Sequence, residues 1–256
     1  MIIKNKFLYK YKENGFCVIK LDKSELKKLN FIKKKVLSLS KKIISKNDIT
    51  KLENIHKTVT SEKLNNFRVK LFHKINEGQF YKDYYNISKK YLDIIVGNEV
   101  VSQKKVNLSI QLPGDENSLL PVHSDTWAGD SPFEVVAWVP LVNVFSTNAM
   151  FILPKKKYKK ISFNKIPFKT NDDLYKKISK HLKFIKIQYG EILIFNQNLP
   201  HGNIVNKTNI TRWSFNCRFK SLFSPYNQKK FLEFFVPLNI KPATLDGIDY
   251  EEPNFK

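Results

Sequence analysis

The spacing of apolar positions along the chain changes near residue 100. Between residues 26 and 43, apolar side chains recur every three or four positions among lysines, which is the spacing of an amphipathic helix. Similar spacing predicts two further helices, over 61–77 and 80–96, the last of them ending at Gly97. Beyond residue 100 the apolar period falls to two, as in strands with one buried face. The chain is therefore predicted to form helices first and strands second.

Local signals mark the start of the first of these helices. A turn signal opens residues 14–22, and the β-prone run after it predicts a short strand. Ser24, followed directly by Glu25, predicts the beginning of the helix, and its end is expected near residues 46–48.

Alternation marks the strands of the second half. In 106–112, apolar and polar side chains alternate without exception. The polar face of this strand is predicted to form the wall of a site, with plain solvent exposure as the alternative. It consists of Asn107, Ser109 and Gln111. Further strands are predicted at 133–141, 184–187, 191–195 and 212–220, and a short helix at 171–183.

The strand at 212–220 has one polar and one apolar face. The polar face consists of Arg212, Ser214, Asn216 and Arg218. The apolar face consists of Trp213, Phe215, Cys217 and Phe219. This division is expected of a sheet whose concave side holds a polar site and whose convex side packs on helices.

Two segments lack a regular pattern. The lysine-rich residues 155–160 are predicted to form a solvated loop, with a phosphate-binding patch as the alternative. Residues 224–256 contain four prolines and no strong period, and are predicted to wrap the core or to form a lid.

The order of elements predicts an α+β fold. We expect a double-stranded β-helix, a jelly-roll or cupin-like barrel, with the N-terminal helices packed on one of its sheets. A single domain is predicted over 1–256, with a mainly helical part at 1–100 and the jelly-roll core at 101–223. The remaining residues, 224–256, are the wrap or lid.

Composition supports a folded protein of the cytoplasm. Hydrophobic residues make up 42% and aromatic residues 13% of the 256 residues, which argues against disorder. Cys17 and Cys217 stand far apart in apolar surroundings, and are predicted to be reduced, buried packing residues. Lysines interrupt the apolar residues of 1–7, so no signal-peptide core is expected there. No apolar run approaches the ~20 residues that a membrane-spanning helix requires.

The formal charge of +22 suggests a nucleic-acid partner at first sight. All but three of the 45 basic residues are lysines, however, and they are scattered along the whole chain. A solvated lysine coat is therefore the preferred interpretation, and no nucleic-acid partner is expected. Such a coat would still attract an anionic substrate. The three arginines are Arg68, Arg212 and Arg218, and two of them lie within seven residues of each other.

Two histidines and one aspartate have the composition of a metal site. On a strand, His123 and Asp125 would point to the same side, because side chains alternate. His201, which lies 76 residues after Asp125, would complete two imidazoles and one carboxylate. This set is the facial triad of non-haem Fe(II) oxygenases, and it leaves open positions on the metal. We therefore predict that these three residues form a catalytic metal site.

An arginine and a serine follow the second histidine within fourteen residues. Arg212 lies eleven residues after His201, and Ser214 follows on the same strand face. A guanidinium fork with a neighbouring hydroxyl suits a dicarboxylic co-substrate such as 2-oxoglutarate. Both residues are therefore predicted to bind the distal carboxylate of that co-substrate.

Together, these motifs resemble the iron(II)/2-oxoglutarate-dependent oxygenase superfamily, and within it the phytanoyl-CoA-hydroxylase-like branch. The strand at 15–19 with its following helix and the tryptophan-containing strand at 136–141 also resemble that branch. The branch often continues with Asn-Gly, a β-run and Pro-Gly-Ser-His. This chain has Asn148-Ala149 and stops at Leu153-Pro154-Lys155, so that last element is missing.

A narrower resemblance covers most of the chain. Residues 112–118, 123–127, 129–134 and 138–141 resemble the oxygenases found sporadically in bacterial surface-carbohydrate clusters. The resemblance implies a sugar, activated sugar or glycan substrate on the path to capsular polysaccharide, O-antigen or a related glycan. Such a substrate could be anionic or nucleotide-linked.

The resemblance also implies the cofactors and further roles. Fe(II), 2-oxoglutarate and O2 are expected, with Gln111 and Trp138 as additional wall residues for the co-substrate. Trp127, Glu134 and Arg218 are expected substrate contacts, Arg218 through a carboxylate or phosphate. A structural tryptophan is the alternative for Trp127, and a salt-bridge partner is the alternative for Glu134. The loop at the mouth of the site is expected to contain Asp130 and Ser131.

Three other functions remain open at this point. The same chemistry could act on a non-sugar small molecule. A cupin-type metal-dependent sugar isomerase or epimerase would share the barrel and the histidines but would not need Arg212 and Ser214. A metal-free carbohydrate-binding or scaffold protein would make His123 and Asp125 incidental. The motifs favour the oxygenase, and formation of succinate from 2-oxoglutarate would separate it from the two other protein classes.

Overall fold

A computed structural model describes residues 6–45, 49–97 and 99–254 of the chain. The helices are α1 (Lys6–Asn14), α2 (Lys23–Ile44), α3 (Ser61–Ile75), α4 (Phe80–Val96), α5 (Lys155–Lys160), α6 (Asn171–Ile178) and α7 (Pro242–Ile248). The strands are β1 (Phe16–Lys20), β2 (Val100–Gln103), β3 (Asn107–Gln111), β4 (Val135–Pro140), β5 (Phe151–Ile152), β6 (Lys183–Phe184), β7 (Glu191–Asn196), β8 (His201–Gly202), β9 (Arg212–Ser221) and β10 (Phe235–Asn239).

The long helix α2 begins earlier than predicted, with its N-cap two residues before Ser24. Its N-cap is Asp22, whose side chain accepts the backbone N–H of Glu25, while the Glu25 carboxylate accepts the backbone N–H of Asp22. This reciprocal capping box satisfies two N–H groups that have no partner inside the helix. The helix ends at Ile44, and the predicted end at 46–48 lies outside the described residues. Helices α3 and α4 confirm the other two predicted helices.

Seven strands form the larger sheet. Its order is β1-β7-β4-β9-β2-β10, and β3 pairs with the first half of β9, beside the segment that pairs with β2. The long strand β9 divides its side chains as predicted: Trp213, Phe215, Cys217 and Phe219 belong to the core shared with α2, α3 and α4. Trp213 is fully buried, and its indole N–H donates to the carbonyl oxygen of Leu52 at 2.8 Å. The helices therefore cover the convex face of this sheet.

A smaller sheet, ordered β6-β5-β8, lies opposite the inner face of the larger one. Trp138 and Phe195 of the larger sheet pack with Ile152 of the smaller sheet, and with Met150 and Ile185 next to it in sequence or pairing, in one buried cluster. The two facing sheets form a double-stranded β-helix with the N-terminal helices on one sheet, and the predicted fold class is confirmed.

The prediction of a solvated loop at 155–160 is wrong, because this segment forms helix α5. Pro154 supplies the extended backbone before the first turn, and the Tyr158 ring stacks on Phe163 with a centroid distance of 4.8 Å. Lys156 also pairs with Glu13 of α1 at 2.5 Å. Packing of one aromatic side chain thus orders a segment whose lysines alone predict a loop.

The C-terminal part at 224–256 contributes a strand to the barrel. Strand β10 pairs antiparallel with β2, and its first residue, Phe235, is fully buried. The pairing shifts register between Pro237 and Asn239. A proline and a bulge both interrupt alternation, which explains why the sequence pattern gave no sign of this strand.

Both cysteines, Cys17 and Cys217, are buried and free, as predicted. Among the helices within 6–45, 49–97 and 99–254, none combines the length and the hydrophobicity that crossing a bilayer requires.

Candidate metal centre and its cavity

A two-residue bridge between distant parts of the chain positions the two histidines. The backbone N–H of His123 donates to the carbonyl oxygen of His201 at 2.9 Å, and the reverse bond measures 2.8 Å. The imidazole rings consequently lie 4.3 Å apart, centroid to centroid. Gly202 follows in the same strand, and a Cβ at that position would lie 2.6 Å from the carbonyl oxygen of Leu120. The His201 segment can therefore approach its neighbour this closely only with glycine next to the histidine.

The prediction that His123 and Asp125 share a strand is wrong. His123 makes an isolated bridge, whereas Asp125 begins a 3-10 turn, Asp125–Ala128. The two side chains nevertheless converge, because the turn folds Asp125 back toward the bridge. The nearest carboxylate oxygen of Asp125 lies 3.5 Å from His123 Nε2 and 3.9 Å from His201 Nε2.

The three side chains form a preorganised ligand set. One ligand atom from each residue lies within 4.8 Å of the others. The Nδ1 of His123 lies 2.8 Å from the carbonyl oxygen of Pro121, and the Nδ1 of His201 lies 2.8 Å from that of Leu199. Since a carbonyl only accepts, both Nδ1 atoms must carry hydrogen, so in the neutral ring of each histidine Nε2 is the nitrogen with a lone pair for a metal.

The charges of the three ligands also suit a cation. Burial opposes ionisation of Asp125, but the hydrogen bond from His123 and the neighbouring cationic groups outweigh it, and the pKa of Asp125 lies well below its usual range. Burial lowers the pKa of His201 to about 4, so this ring is neutral at pH 7. Burial also acts to lower the pKa of His123, yet its hydrogen bond to Asp125 raises it overall. Protonation therefore competes with metal binding up to a higher pH at His123 than at His201.

Arg218 binds the free side of the triad carboxylate. Its Nη2 lies 3.1 Å from Asp125 Oδ2 and 3.7 Å from Asp130 Oδ2. Lys229 pairs with the other oxygen of Asp130 at 2.6 Å. Arg218 was expected to contact substrate; the structure places it on Asp125 and also in the wall of the cavity. The pairing holds Asp125 with its Oδ1 directed toward the histidines.

The residues expected at the mouth of the site lie behind it. Asp130 and Ser131 are each 1% exposed, so neither belongs to an open loop. Glu134 is equally buried, and its carboxylate accepts the Ser131 backbone N–H at 3.0 Å and the Gln197 amide at 2.9 Å. Gln197 in turn accepts from Arg218 Nε at 3.2 Å. The structure thus places Glu134 in the network that supports Arg218.

A chain of amides extends from Arg218 into the cavity. Arg218 Nη1 donates to Gln103 Oε1 at 3.2 Å, and Gln103 Nε2 donates to Asn107 Oδ1 at 3.1 Å. Asn107 Nδ2 then donates to Asn216 Oδ1 at 2.9 Å. A guanidinium can only donate, so it fixes the direction of every later bond. The amide nitrogen of Asn216, a residue of the cavity wall, remains as a donor at the end of this chain.

Arg212 is a buried cation with no ion-pair partner in the part of the chain that the structure describes. It is 3% exposed, its Nη2 donates to Ser109 Oγ at 2.9 Å, and its Nε has no partner among the described residues. Burial alone lowers the pKa of Arg212, to about 10. Leaving a guanidinium buried and unpaired is costly, and the cost is recovered when an anion binds. The arrangement fits a carboxylate ligand.

The remaining residues predicted around the co-substrate lie close to Arg212 in the sheet. Ser214 is fully buried, and its hydroxyl has no partner among the described residues. Gln111 pairs with Arg212 across β3 and β9, and its amide donates to the carbonyl oxygen of Ile204 at 2.6 Å. Trp138 lines the cavity. Three polar atoms of this group are therefore orphaned on the described residues, Arg212 Nε, Ser214 Oγ and Gln111 Oε1.

A cavity of about 220 Å³ joins these groups between the two sheets. Its wall contains His123, Asp125, His201, Trp138, Arg212 and Arg218. The metal ligands and the unpaired guanidinium therefore line one and the same cavity.

Trp127 lies apart from that cavity. It is 48% exposed in the 3-10 turn after Asp125, and its ring stacks on Phe163 at a centroid distance of 6.0 Å. Phe168 lies beside it at 6.1 Å. The structure places Trp127 in an aromatic surface cluster and not in the wall of the metal cavity.

Sequence reasoning missed the glutamines that hold Arg218. Gln103 and Gln197 accept from different nitrogens of its guanidinium. No local signal marks either residue, because each becomes relevant only through strand pairing. Asn216 was visible on the polar face of β9, although its role as the last amide was not.

Replacing Arg218 by methionine tests the support of Asp125. Removing one partner of a buried ion pair leaves the other charge uncompensated, so we expect a loss of about 3 kcal/mol in the free energy of unfolding. Urea unfolding measures this loss, with Lys70→Met on the exposed side of α3 as the control. A bound dication replaces the lost counter-charge of Asp125, so Ni(II) should recover part of the stability. Equal stability of the Arg218 variant and the wild type without metal would contradict the described role.

Comparison with known proteins agrees with the fold. Searches against protein-family models and curated proteins give no match. Among solved structures, the non-heme monooxygenase ThoJ has a TM-score of 0.55 at 12% identity, over 92% of this chain and 84% of ThoJ. HygX from Streptomyces hygroscopicus, with nickel, 2-oxoglutarate and hygromycin B bound, has a TM-score of 0.51 at 12% identity, over 91% and 92%. The epimerase SnoN, in complex with Fe3+, alpha ketoglutarate and nogalamycin RO, has a TM-score of 0.50 at 13% identity, over 86% and 84%. At these identities the likeness is one of fold.

Proposed function

We propose that this chain is an Fe(II)- and 2-oxoglutarate-dependent oxygenase. The observation that carries the proposal is the combination, in one cavity, of a two-histidine, one-carboxylate triad with a buried guanidinium that lacks a counter-charge. The first group suits Fe(II) with open coordination positions, and the second suits the far carboxylate of a dicarboxylic acid. The solved structures of the same fold with nickel or iron and 2-oxoglutarate support it.

Each residue of the site has a separate role in this proposal. His123, Asp125 and His201 would hold Fe(II), which, when bound, supplies the oxidation of substrate by O2 coupled to conversion of 2-oxoglutarate to succinate and CO2. Arg212 binds and orients 2-oxoglutarate, with Ser214 as a hydroxyl donor to the same carboxylate. Arg218 orients Asp125. Trp138 closes the wall and excludes water from the cavity.

For the substrate we propose a sugar, activated sugar or glycan of bacterial surface polysaccharide biosynthesis. The resemblance of 112–118, 123–127, 129–134 and 138–141 to oxygenases of surface-carbohydrate clusters supports this choice. HygX, whose structure contains hygromycin B, shares the fold. The buried free thiols of Cys17 and Cys217 fit a reducing cytoplasm as the site of action.

The second possible function is that of a cupin-type metal-dependent isomerase or epimerase. Such an enzyme would use the triad, but it would leave the cation of Arg212 without a purpose. The orphaned Arg212 Nε and Ser214 Oγ therefore favour the oxygenase.

Succinate formation tests the proposal. The protein is incubated with Fe(II), 2-oxoglutarate and O2 together with nucleotide-activated sugars, free sugars or short glycans, and each product is examined by mass spectrometry. We expect succinate in every reaction from slow uncoupled turnover, and a larger amount with the true substrate. Incorporation of one atom from ¹⁸O2 would identify hydroxylation, whereas loss of two hydrogens would identify desaturation or alcohol oxidation. Absence of succinate from metal-loaded protein under all conditions would overturn the proposal and favour the isomerase.

A further inference from the structure

A second, larger hollow adjoins the metal cavity. It measures about 630 Å³ and lies between helix α3 and the loop at 117–120. Four residues line both spaces, namely Asn107, Ser109, Leu120 and Asn216. We call this hollow the α3 groove. These four residues are the place where the α3 groove and the metal cavity adjoin.

The α3 groove is apolar along much of its wall. Val69 is 44% exposed and Leu120 is 51% exposed, so both aliphatic side chains are open to a ligand that enters the groove. Phe72, Leu108 and Leu119 extend the same surface. A bound molecule with apolar faces would cover these side chains.

A single arginine gives the groove its charge. Arg68 lies on α3 in the wall, and none of the described wall residues is an aspartate or glutamate. Its Nη2 donates to the side-chain oxygen of Asn65 at 2.9 Å, and no carboxylate of the described residues lies within ion-pair distance. Four nitrogen-bound hydrogens of the guanidinium therefore remain for a ligand. In a chain that uses lysine almost everywhere, an arginine fork here suits an oxyanion.

The inner end of the groove offers a different group. Asn216 lies where the groove meets the metal cavity, and its Oδ1 already accepts from Asn107. The amide chain that begins at Arg218 leaves its Nδ2 as the available donor. A ligand that extends from the groove toward the triad would therefore present a hydrogen-bond acceptor, such as a hydroxyl or carbonyl oxygen, at this point.

We propose that the α3 groove binds the primary substrate, and that this substrate is a small molecule with one oxyanion, carboxylate or phosphate, paired with Arg68. An oxygen near its reacting carbon accepts from Asn216, and its apolar faces cover Val69 and Leu120. The proposal rests on the proposed function, because it places the reacting end beside the triad. In this proposal the scattered surface lysines attract the anionic substrate toward the protein, and Arg68 pairs with its oxyanion in the groove.

The test uses two fluorescent probes that differ by a single anionic group. The probes are 8-anilinonaphthalene-1-sulfonate and its neutral parent, N-phenyl-1-naphthylamine, titrated into the full chain. Loss of a partly exposed charge pair costs about 1 kcal/mol, so Arg68→Gln should weaken binding of the sulfonate about fivefold and leave binding of the neutral probe unchanged. Lys70→Gln removes a charge from the exposed side of the same helix and should change neither affinity. Unchanged sulfonate binding in the Arg68 variant, or an equal loss in the Lys70 variant, would overturn the proposal.

A second pair of variants tests whether the probe binds in the α3 groove. Leu120→Asp and Leu120→Asn have nearly the same shape, but only the former adds a negative charge. The aspartate should weaken sulfonate binding more than the asparagine does, and the two should affect the neutral probe equally. The same affinities are expected with Ni(II) and 2-oxoglutarate added, because these ligands occupy the inner cavity. Displacement of the sulfonate by 2-oxoglutarate would locate the probe at Arg212 and overturn the groove assignment.

These titrations need neither iron nor turnover. A failed probe experiment with normal succinate formation would refute the groove and leave the oxygenase intact. Normal probe binding without succinate would refute the proposed function alone.

Discussion

His123→Ala is expected to abolish Fe(II)-dependent succinate formation. The imidazole supplies one of three ligands, and its Nδ1 is already fixed by the carbonyl oxygen of Pro121. Loss of a residue that only supports a metal ligand costs 10- to 100-fold in affinity or activity, so loss of a ligand itself should exceed about hundredfold. The variant should remain folded, because His123 lies at the surface of the cavity, half-buried. Calorimetric titration with Ni(II) measures the loss of metal affinity, and the succinate assay measures the loss of turnover.

His181→Ala is the matched control for this experiment. His181 is half-buried in the 3-10 turn at 179–181, outside the cavity. Its replacement should leave Ni(II) affinity unchanged. Full turnover in the His123 variant, with an unaltered circular dichroism spectrum, would remove the triad assignment.

Arg212→Met should raise the concentration of 2-oxoglutarate needed for half-maximal turnover by about hundredfold, since truncating one member of a buried charge pair costs about 2–5 kcal/mol. Although Arg212→Met weakens co-substrate binding, it should not destabilise the unliganded protein. The unliganded wild type bears the cost of a buried, unpaired guanidinium, so the methionine variant should be at least as stable without ligand. In the wild type, 2-oxoglutarate should raise Tm as its concentration increases, and in the variant this rise should disappear.

Arg212→Lys separates charge from geometry. Lysine keeps a cation but cannot offer a two-pronged fork, so it should recover only part of the affinity for 2-oxoglutarate. The response of Tm to 2-oxoglutarate should follow the same order, with the wild type highest and methionine lowest. An unchanged 2-oxoglutarate requirement in Arg212→Met would show that the co-substrate carboxylate binds elsewhere.

Much of the fold could be predicted because its patterns are local. The alternation in β9 placed Arg212 on the cavity face and Trp213 in the core, and the structure confirms both positions. The helical period likewise predicted α3 and α4. These features depend on which face of one element is buried, and the sequence records that choice directly.

Features that depend on contacts between distant segments were harder to predict from the sequence. Asp125 meets His123 through a 3-10 turn, although strand alternation predicted the same convergence for a different reason. The pairing of Arg218 with Asp125 requires β9 to lie beside the turn, and nothing near either residue specifies this. Glu134 is held by Gln197 for a comparable reason. Alternation shows which face a side chain occupies, whereas its partner is decided by the topology of the sheets.

The most direct test of the central claim is an anaerobic titration of the Fe(II)-loaded protein with 2-oxoglutarate, followed by visible absorption. If His123, Asp125 and His201 hold Fe(II) beside the co-substrate, 2-oxoglutarate should produce a visible charge-transfer band that saturates at one equivalent. The band should be absent from His123→Ala and should require far more 2-oxoglutarate in Arg212→Met. Tight binding of Fe(II) to the wild type with no such band at any 2-oxoglutarate concentration would contradict the account.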